Sequence, residues 1–116
     1  MPSTLFIYGT LHPDRAPAEI TAVARRLTPI GPATIRARLY NLGAYPGAIL
    51  DAQAPPLAGE LFTVPDDETL ARLDRYEDYR PSDPANSLFV REKAVVTLDD
   101  GTHQICWVYV YNGGLP

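Results

Sequence analysis

Glu77 is the residue best placed for chemistry in this chain. It lies in LDRYEDY, residues 73–79. Counting at helical period from Leu70 puts Leu73 and Glu77 on one side, so a carboxylate points inward among apolar neighbours. A carboxylate partly withdrawn from water loses hydration in its charged form, and its pKa rises towards the range of a general acid or base. Two other readings fit the same spacing: a structural ion pair with an arginine such as Arg91 or Arg75, or a helix-end side chain that turns to solvent. The second candidate is IYGTL, residues 7–11. A strand that stops at glycine would present the amides of Gly9, Thr10 and Leu11 as a concave set able to bind a carboxylate or an oxyanion. Strand-then-glycine is equally an ordinary turn.

Other chemistries find little support. No glycine-rich dinucleotide fingerprint or phosphate loop is present, so a nucleotide cofactor has no visible cradle. His12 and His103 lack the paired spacing of zinc ligands, and no metal site is expected. Cys106, the one cysteine, excludes an internal disulfide. It sits inside an apolar strand beside Trp107, which favours an inert buried thiol over a nucleophile. Ser3, Ser82 and Ser87 have no nucleophile elbow around them. A net charge of −4 argues against nucleic acid or an anionic membrane as partner, because both need a basic surface. The start, MPSTLFIYGT, does not read as a targeting segment, and no run is long enough to cross a bilayer. A cytoplasmic setting is expected.

The elements that must position these residues follow from period and punctuation. At 116 residues, 46% hydrophobic and 21% charged, the chain is expected to form one domain over 1–116. Residues 4–8 read as a buried strand and residues 17–27 as a one-sided helix, with Ile20, Val23, Ala24 and Leu27 inward. Pro29, Gly31 and Pro32 break the pattern. ATIRARLYN then alternates Ile35, Ala37 and Leu39 against Arg36, Arg38 and Tyr40 as a half-exposed strand does. After the turn GAYPG come the short strand AIL and the strand LAGELFTV, in which Glu60 shares a face with Phe62 and Val64. Glu60 could be a second buried carboxylate, but its position favours a structural role. Asp66 is the expected N-cap of the second helix, which ends at 76–78. LFVREKAVVTL and HQICWVYVYN form a final hairpin turning at Asp100 and Gly101. The sum is six strands and two main helices, a small, largely antiparallel sheet of α+β class that curls towards a barrel.

FIYGTL, LGAYPGA, GELFTV leading into LARLDRYEDY, then FVR and the closing WVYVYN resemble, in that order and nearly end to end, the gamma-glutamylcyclotransferase-like superfamily. The resemblance implies a compact mixed fold around a small cavity, lined by the YGTL-type loop and a helical glutamate. Carried over residue by residue, the substrate-binding loop is Tyr8, Gly9, Thr10 and Leu11, and the catalytic acid/base is Glu77. Tyr45, Pro46 and Gly47 match a family turn near the cavity, although Pro-Gly turns for its own reasons. Arg91 matches a family position that would neutralise a substrate carboxylate or orient Glu77; read from the residues alone, it is an exposed strand side chain. Among Trp107, Tyr109 and Tyr111, which share one strand face, Tyr111 is expected to reach the pocket rim.

The implied reaction is cofactor-free. In a gamma-glutamyl compound the α-amine closes onto the γ-carbonyl, giving 5-oxoproline and a free amine, with one carboxylate moving both protons. The expected partner is a small gamma-glutamyl molecule. Glutathione, a gamma-glutamyl amino acid, a gamma-glutamyl-lysine fragment and a biosynthetic amine all present the same reacting end. The chain is expected to act as a monomer or weak homodimer. Two rivals stand beside this reading: a non-catalytic module on the same fold that binds a metabolite or a protein, and a hydrolase that would release glutamate instead of the lactam.

Overall fold

Strands covered on both faces read as unbroken apolar runs, and that is how residues 5–7, 61–62 and 108–110 are used. A computed structural model describes residues 3–8, 18–41 and 46–112, Glu19 in its backbone only. The elements in chain order are β1 (Ser3–Ile7), α1 (Ala18–Ala24), β2 (Thr28–Asn41), β3 (Pro46–Leu50), β4 (Pro56–Val64), α2 (Asp67–Tyr76), β5 (Phe89–Leu98) and β6 (His103–Tyr111), with one 3-10 turn at Pro84–Asn86. The expected α+β class with two main helices is what forms.

The strands lie in the order β3-β2-β4-β1-β6-β5, and β5 returns to β2 through Ala33↔Leu98 and Thr34↔Thr97. Five strands therefore close into a barrel and β3 extends β2 outside it. Among the described residues only β1 and β6 run parallel; the other neighbours are antiparallel. Strand alternation then divides the core in two. Phe6, Ala33, Ile35, Leu61, Val96, Cys106 and Val108 fill the barrel interior. Leu5, Ile7, Phe62, Val64 and Tyr109 point outwards, where Ile20, Val23, Leu27, Leu70 and Leu73 of the helical layer cover them. The helices are thus pinned to one wall of the barrel, formed by β1, β4 and β6.

Three sequence expectations need correction. β2 starts at Thr28 rather than at Ala33 and runs straight through Pro29, Gly31 and Pro32. Among the described residues, 28–32 pair on one side only, with β4, so a missing proline N–H is tolerated there. The register shifts between Pro29 and Gly31, where Gly31 takes φ +153, a bulge that bends the strand into the barrel. Leu39, expected inward, is 50% exposed, because β2 has by then left the barrel and pairs with β3. The final hairpin turns through three residues, not two: the Gly101 amide donates to the Leu98 carbonyl at 2.9 Å and Gly101 takes φ +87.

Gly59 marks the tightest strand contact. A Cβ there would lie 2.5 Å from the Ile7 carbonyl oxygen and 2.5 Å from the Phe6 ring. Because one contact is backbone, no rotamer change relieves it. Gly59→Ala is expected to lower unfolding free energy by about 2–3 kcal/mol, read from urea denaturation at unchanged m-value.

Candidate functional site

α2 opens where the sequence indicates. The Asp66 carboxylate accepts the Thr69 amide at 2.8 Å, a side-chain N-cap. The other end is what places Glu77. Its amide donates to the Leu73 carbonyl at 3.0 Å, so Glu77 keeps the helical register although it is the C-cap residue. One residue later the chain reverses. Asp78 takes φ +57, its amide donates to Arg75 O at 3.1 Å, and the Tyr79 amide donates to Asp74 O at 2.8 Å. This is the paired-bond Schellman stop, with aspartate in the left-handed position usually held by glycine. Helical phase therefore turns Glu77 towards the barrel, and the stop fixes it at the helix end.

The side chain of Glu77 is half-buried. Burial pushes its carboxyl from an ordinary 4.5 up to about 7. Its field reaches two phenols. Tyr8 is raised well above the ordinary phenol value, first by burial and then by the Glu77 charge, against the opposing hydrogen bond from the Ala48 amide. Tyr109 is raised by burial, then by Asp74 and by Glu77, against the opposing charge of Arg91. Neither phenol ionises at physiological pH.

Tyr8 follows β1 and ties three strands together. Its hydroxyl donates to the Tyr109 carbonyl at 2.6 Å and accepts the Ala48 amide at 3.1 Å. Gly47 lies next to that amide, buried in β3 opposite Tyr40. Gly9, Thr10, Leu11 and Tyr45 fall outside the described residues. Tyr111 is half-buried and meets Phe89 edge-on, ring centres 5.9 Å apart. Glu60 is half-buried between Ile7 and Pro32. Burial raises the Cys106 thiol to about 11, so it stays protonated inside the barrel.

Arg91 is not the exposed strand residue that its sequence position suggests, nor does it pair with Glu77. Its Nε donates to Asp74 Oδ1 at 2.9 Å and a second guanidinium nitrogen donates to Oδ2 at 3.2 Å. The two side chains are only 15% and 6% exposed. The Tyr109 hydroxyl adds a third bond to Asp74 Oδ1, at 2.6 Å. The guanidinium lies over the Trp107 ring at 4.3 Å and the Tyr79 ring at 5.6 Å. Arg91 is exposed by strand alternation but covered by the end of α2 and the chain after it, which alternation within β5 cannot reveal. Asp74 and the Tyr109 hydroxyl are the polar groups that the sequence reading passed over. The helical count that turns Glu77 inward also turns Asp74 inward, three residues earlier. Among the described residues, no group of three or more His, Cys, Asp or Glu could hold a metal ion. Among those residues, too, no helix is long and apolar enough to cross a membrane.

A five-stranded barrel with two helices on one wall and an acidic side chain at a helix end places the chain in a recognisable class of small α+β protein. A family model described as gamma-glutamyl cyclotransferase, AIG2-like, matches residues 5–116, and the chain belongs to that family. Gamma-L-glutamyl-butirosin B gamma-glutamyl cyclotransferase of Niallia circulans is 37% identical over 113 residues, 93% of this chain. The chain spans 66% of the length of that curated relative. Two solved structures share the fold. An AIG2-like protein of Mus musculus has a TM-score of 0.73 at 21% identity, over 99% of this chain and 80% of that one. YkqA of Bacillus subtilis also has a TM-score of 0.73 at 21% identity, over 97% of this chain but 36% of that one.

The raised carboxyl has a consequence for stability. Below pH 4.5 Glu77 is protonated in folded and unfolded chains alike, and burial costs nothing extra. As pH rises through about 7 the folded protein must ionise a desolvated group, so the stability present at low pH is lost in that window. The full gap corresponds to on the order of 3 kcal/mol. Glu77→Gln is expected to be more stable than wild type at pH 8, with the difference closing towards pH 4, in parallel thermal melts.

Proposed function

We propose that the protein is a gamma-glutamyl cyclotransferase, releasing 5-oxoproline and a free amine from a gamma-glutamyl amine. The observation that carries this reading is Glu77, held at the end of α2 with its carboxyl raised to about 7. Membership of the family and the activity for which the Niallia circulans relative is named support the same substrate class.

The chemistry asks little of the protein beyond geometry and one proton carrier. Nucleophile and electrophile belong to one molecule, so holding the chain folded converts encounter into proximity. The Glu77 carboxylate takes a proton from the substrate ammonium. The freed amine nitrogen forms a bond to the γ-carbonyl carbon and sheds a second proton, and the bond from that carbon to the leaving nitrogen breaks as Glu77 returns the first proton to it. The second proton ends on the released amine, which departs as its ammonium. A carboxyl near pH 7 suits both halves, since it exists in both forms at the working pH. The Gly9 to Leu11 loop follows Tyr8 directly. In this reading it supplies amides to the substrate α-carboxylate or to the oxygen that gains charge. Tyr8, immediately before Gly9, is itself fixed by two strand-crossing hydrogen bonds.

Purified protein incubated with a panel of gamma-glutamyl amines is expected to form 5-oxoproline and amine in equal amounts. Glu77→Gln should lower kcat by at least about a hundredfold while the protein stays folded. Glutamate in place of the lactam, or a Glu77→Gln variant within threefold of wild type, would overturn the proposal. Because the base form must take the ammonium proton, kcat/KM should rise with pH through a midpoint at about 7.

A further inference from the structure

The Asp74–Arg91–Tyr109 cluster is more elaborate than helix docking needs. Asp74 is bonded at both ends: its carbonyl accepts the Tyr79 amide that closes the helix stop, and its carboxylate accepts Arg91 and Tyr109 from β5 and β6. Glu77 lies three residues on, inside that same stop. Moving Asp74 relative to the barrel therefore moves the Glu77 backbone with it. The cluster also manages charge. An unpaired Asp74 would set a second carboxylate on the helix face that carries Glu77, and an unpaired Arg91 would set a cation near it; either biases a neighbouring carboxyl. Paired in bidentate geometry, the two charges largely cancel at a distance.

We infer that Asp74 is a positioning residue which, clamped by Arg91 and Tyr109, seats the last turn of α2 on the β5–β6 hairpin and keeps Glu77 beside no uncompensated charge. This deepens the reading of Glu77 as the proton carrier and rests on it. Burial being the cause that raises Glu77 agrees with a cancelled pair. The remaining ionisable groups around the helix do not substitute for the clamp. Tyr8, after β1, and Tyr109 of β6 feel the Glu77 charge as neutral phenols. Arg75 and Asp78 at the helix end are exposed, and Asp78 has Arg80 at 3.5 Å. Lys93 of β5 lies over the Trp107 ring at 5.4 Å, and Glu60 of β4 has interactions of its own. Arg26, after α1, pairs at 3.6 Å with Glu68 in the first turn of α2.

The test follows the Glu77 carboxyl directly, by carbon-13 NMR titration of the full chain, in wild type, Asp74→Asn and Asp74→Asn/Arg91→Met. Removing the Asp74 charge alone leaves Arg91 uncompensated and is expected to lower the Glu77 midpoint by about one pH unit. Removing both charges should restore it to within about 0.3 unit, a reversal that loss of packing would not produce. A midpoint that stays put in the single variant, or fails to return in the double, overturns the inference. Should the single variant not fold, Tyr109→Phe decides by hydrogen exchange. The Glu77 and Tyr79 amides should lose about tenfold protection while Leu70 keeps its own; equal loss, or none, overturns the inference. In active protein the kcat/KM midpoint should follow the NMR midpoint. Expected NMR shifts without any 5-oxoproline formation would instead sink the cyclotransferase reading and leave the clamp standing.

Discussion

Taking a carboxylate out of water is costly, and α2 does it twice on one face. It solves the problem in two ways. Asp74 is met by three donors, and a guanidinium balances its charge. Glu77 has no such cation among the described residues and responds by holding its proton to about pH 7. Two carboxyls one turn apart thus meet different environments, one paired with a guanidinium and the other desolvated. The asymmetry is steep. Removing one partner of a buried pair costs about 3–5 kcal/mol, because the other charge is left stranded. Asp74 and Arg91 therefore constrain each other, and the helix end they hold is constrained with them.

That constraint reaches the barrel through β5 and β6. These strands carry alternate residues to opposite jobs: Cys106, Val108 and Val110 fill the interior while Tyr109 meets α2. Tyr109 serves both sides. Its hydroxyl holds Asp74 on the helical side, and its carbonyl accepts the Tyr8 hydroxyl at the mouth of the barrel. Tyr8 in turn carries the Ala48 amide of β3. A chain of short hydrogen bonds thus runs from α2 through β6 to β3, with Tyr8, next after β1, as its link. The helix end and the end of β1 are tied by one network rather than by two local motifs.

How far this was readable in the sequence varied with the range of the interaction responsible. The six strands and two main helices follow from period and from local signals such as the Asp66 cap, and these survive tertiary assembly. The proline-rich start of β2 does not read as strand, because propensity assumes both edges are hydrogen-bonded and here one is open. Leu39 has the alternation of a core residue, but the strand outruns the barrel that would cover it. Arg91 shows the limit most plainly. Its partner is 17 residues earlier, and the cover over it comes from α2 and Tyr79, so nothing within β5 signals burial. Glu77 was legible because its signal is local: helical phase from Leu73 carries it inward. Asp74 carries the same phase, but its partners Arg91 and Tyr109 lie 17 and 35 residues along the chain, beyond the reach of any local signal.

The helix stop explains why rigidity and reactivity can share so few residues. A carboxyl that must take a proton from one nitrogen and give it to another cannot be buried deeply, since both nitrogens belong to an incoming molecule. Nor can it sit on a mobile segment, because a misplacement of about 1 Å is costly to proton transfer and ring closure alike. A C-cap position meets both demands. Its amide is still bonded into the helix, at 3.0 Å to Leu73, while its side chain lies past the last full turn. The left-handed Asp78 keeps the chain from continuing and covering the carboxyl, and Tyr79 returns to close the stop over Asp74. On the proposed reading, the strained residue lies next to the proton carrier because ending the helix there gives Glu77 access to substrate without freeing it to move.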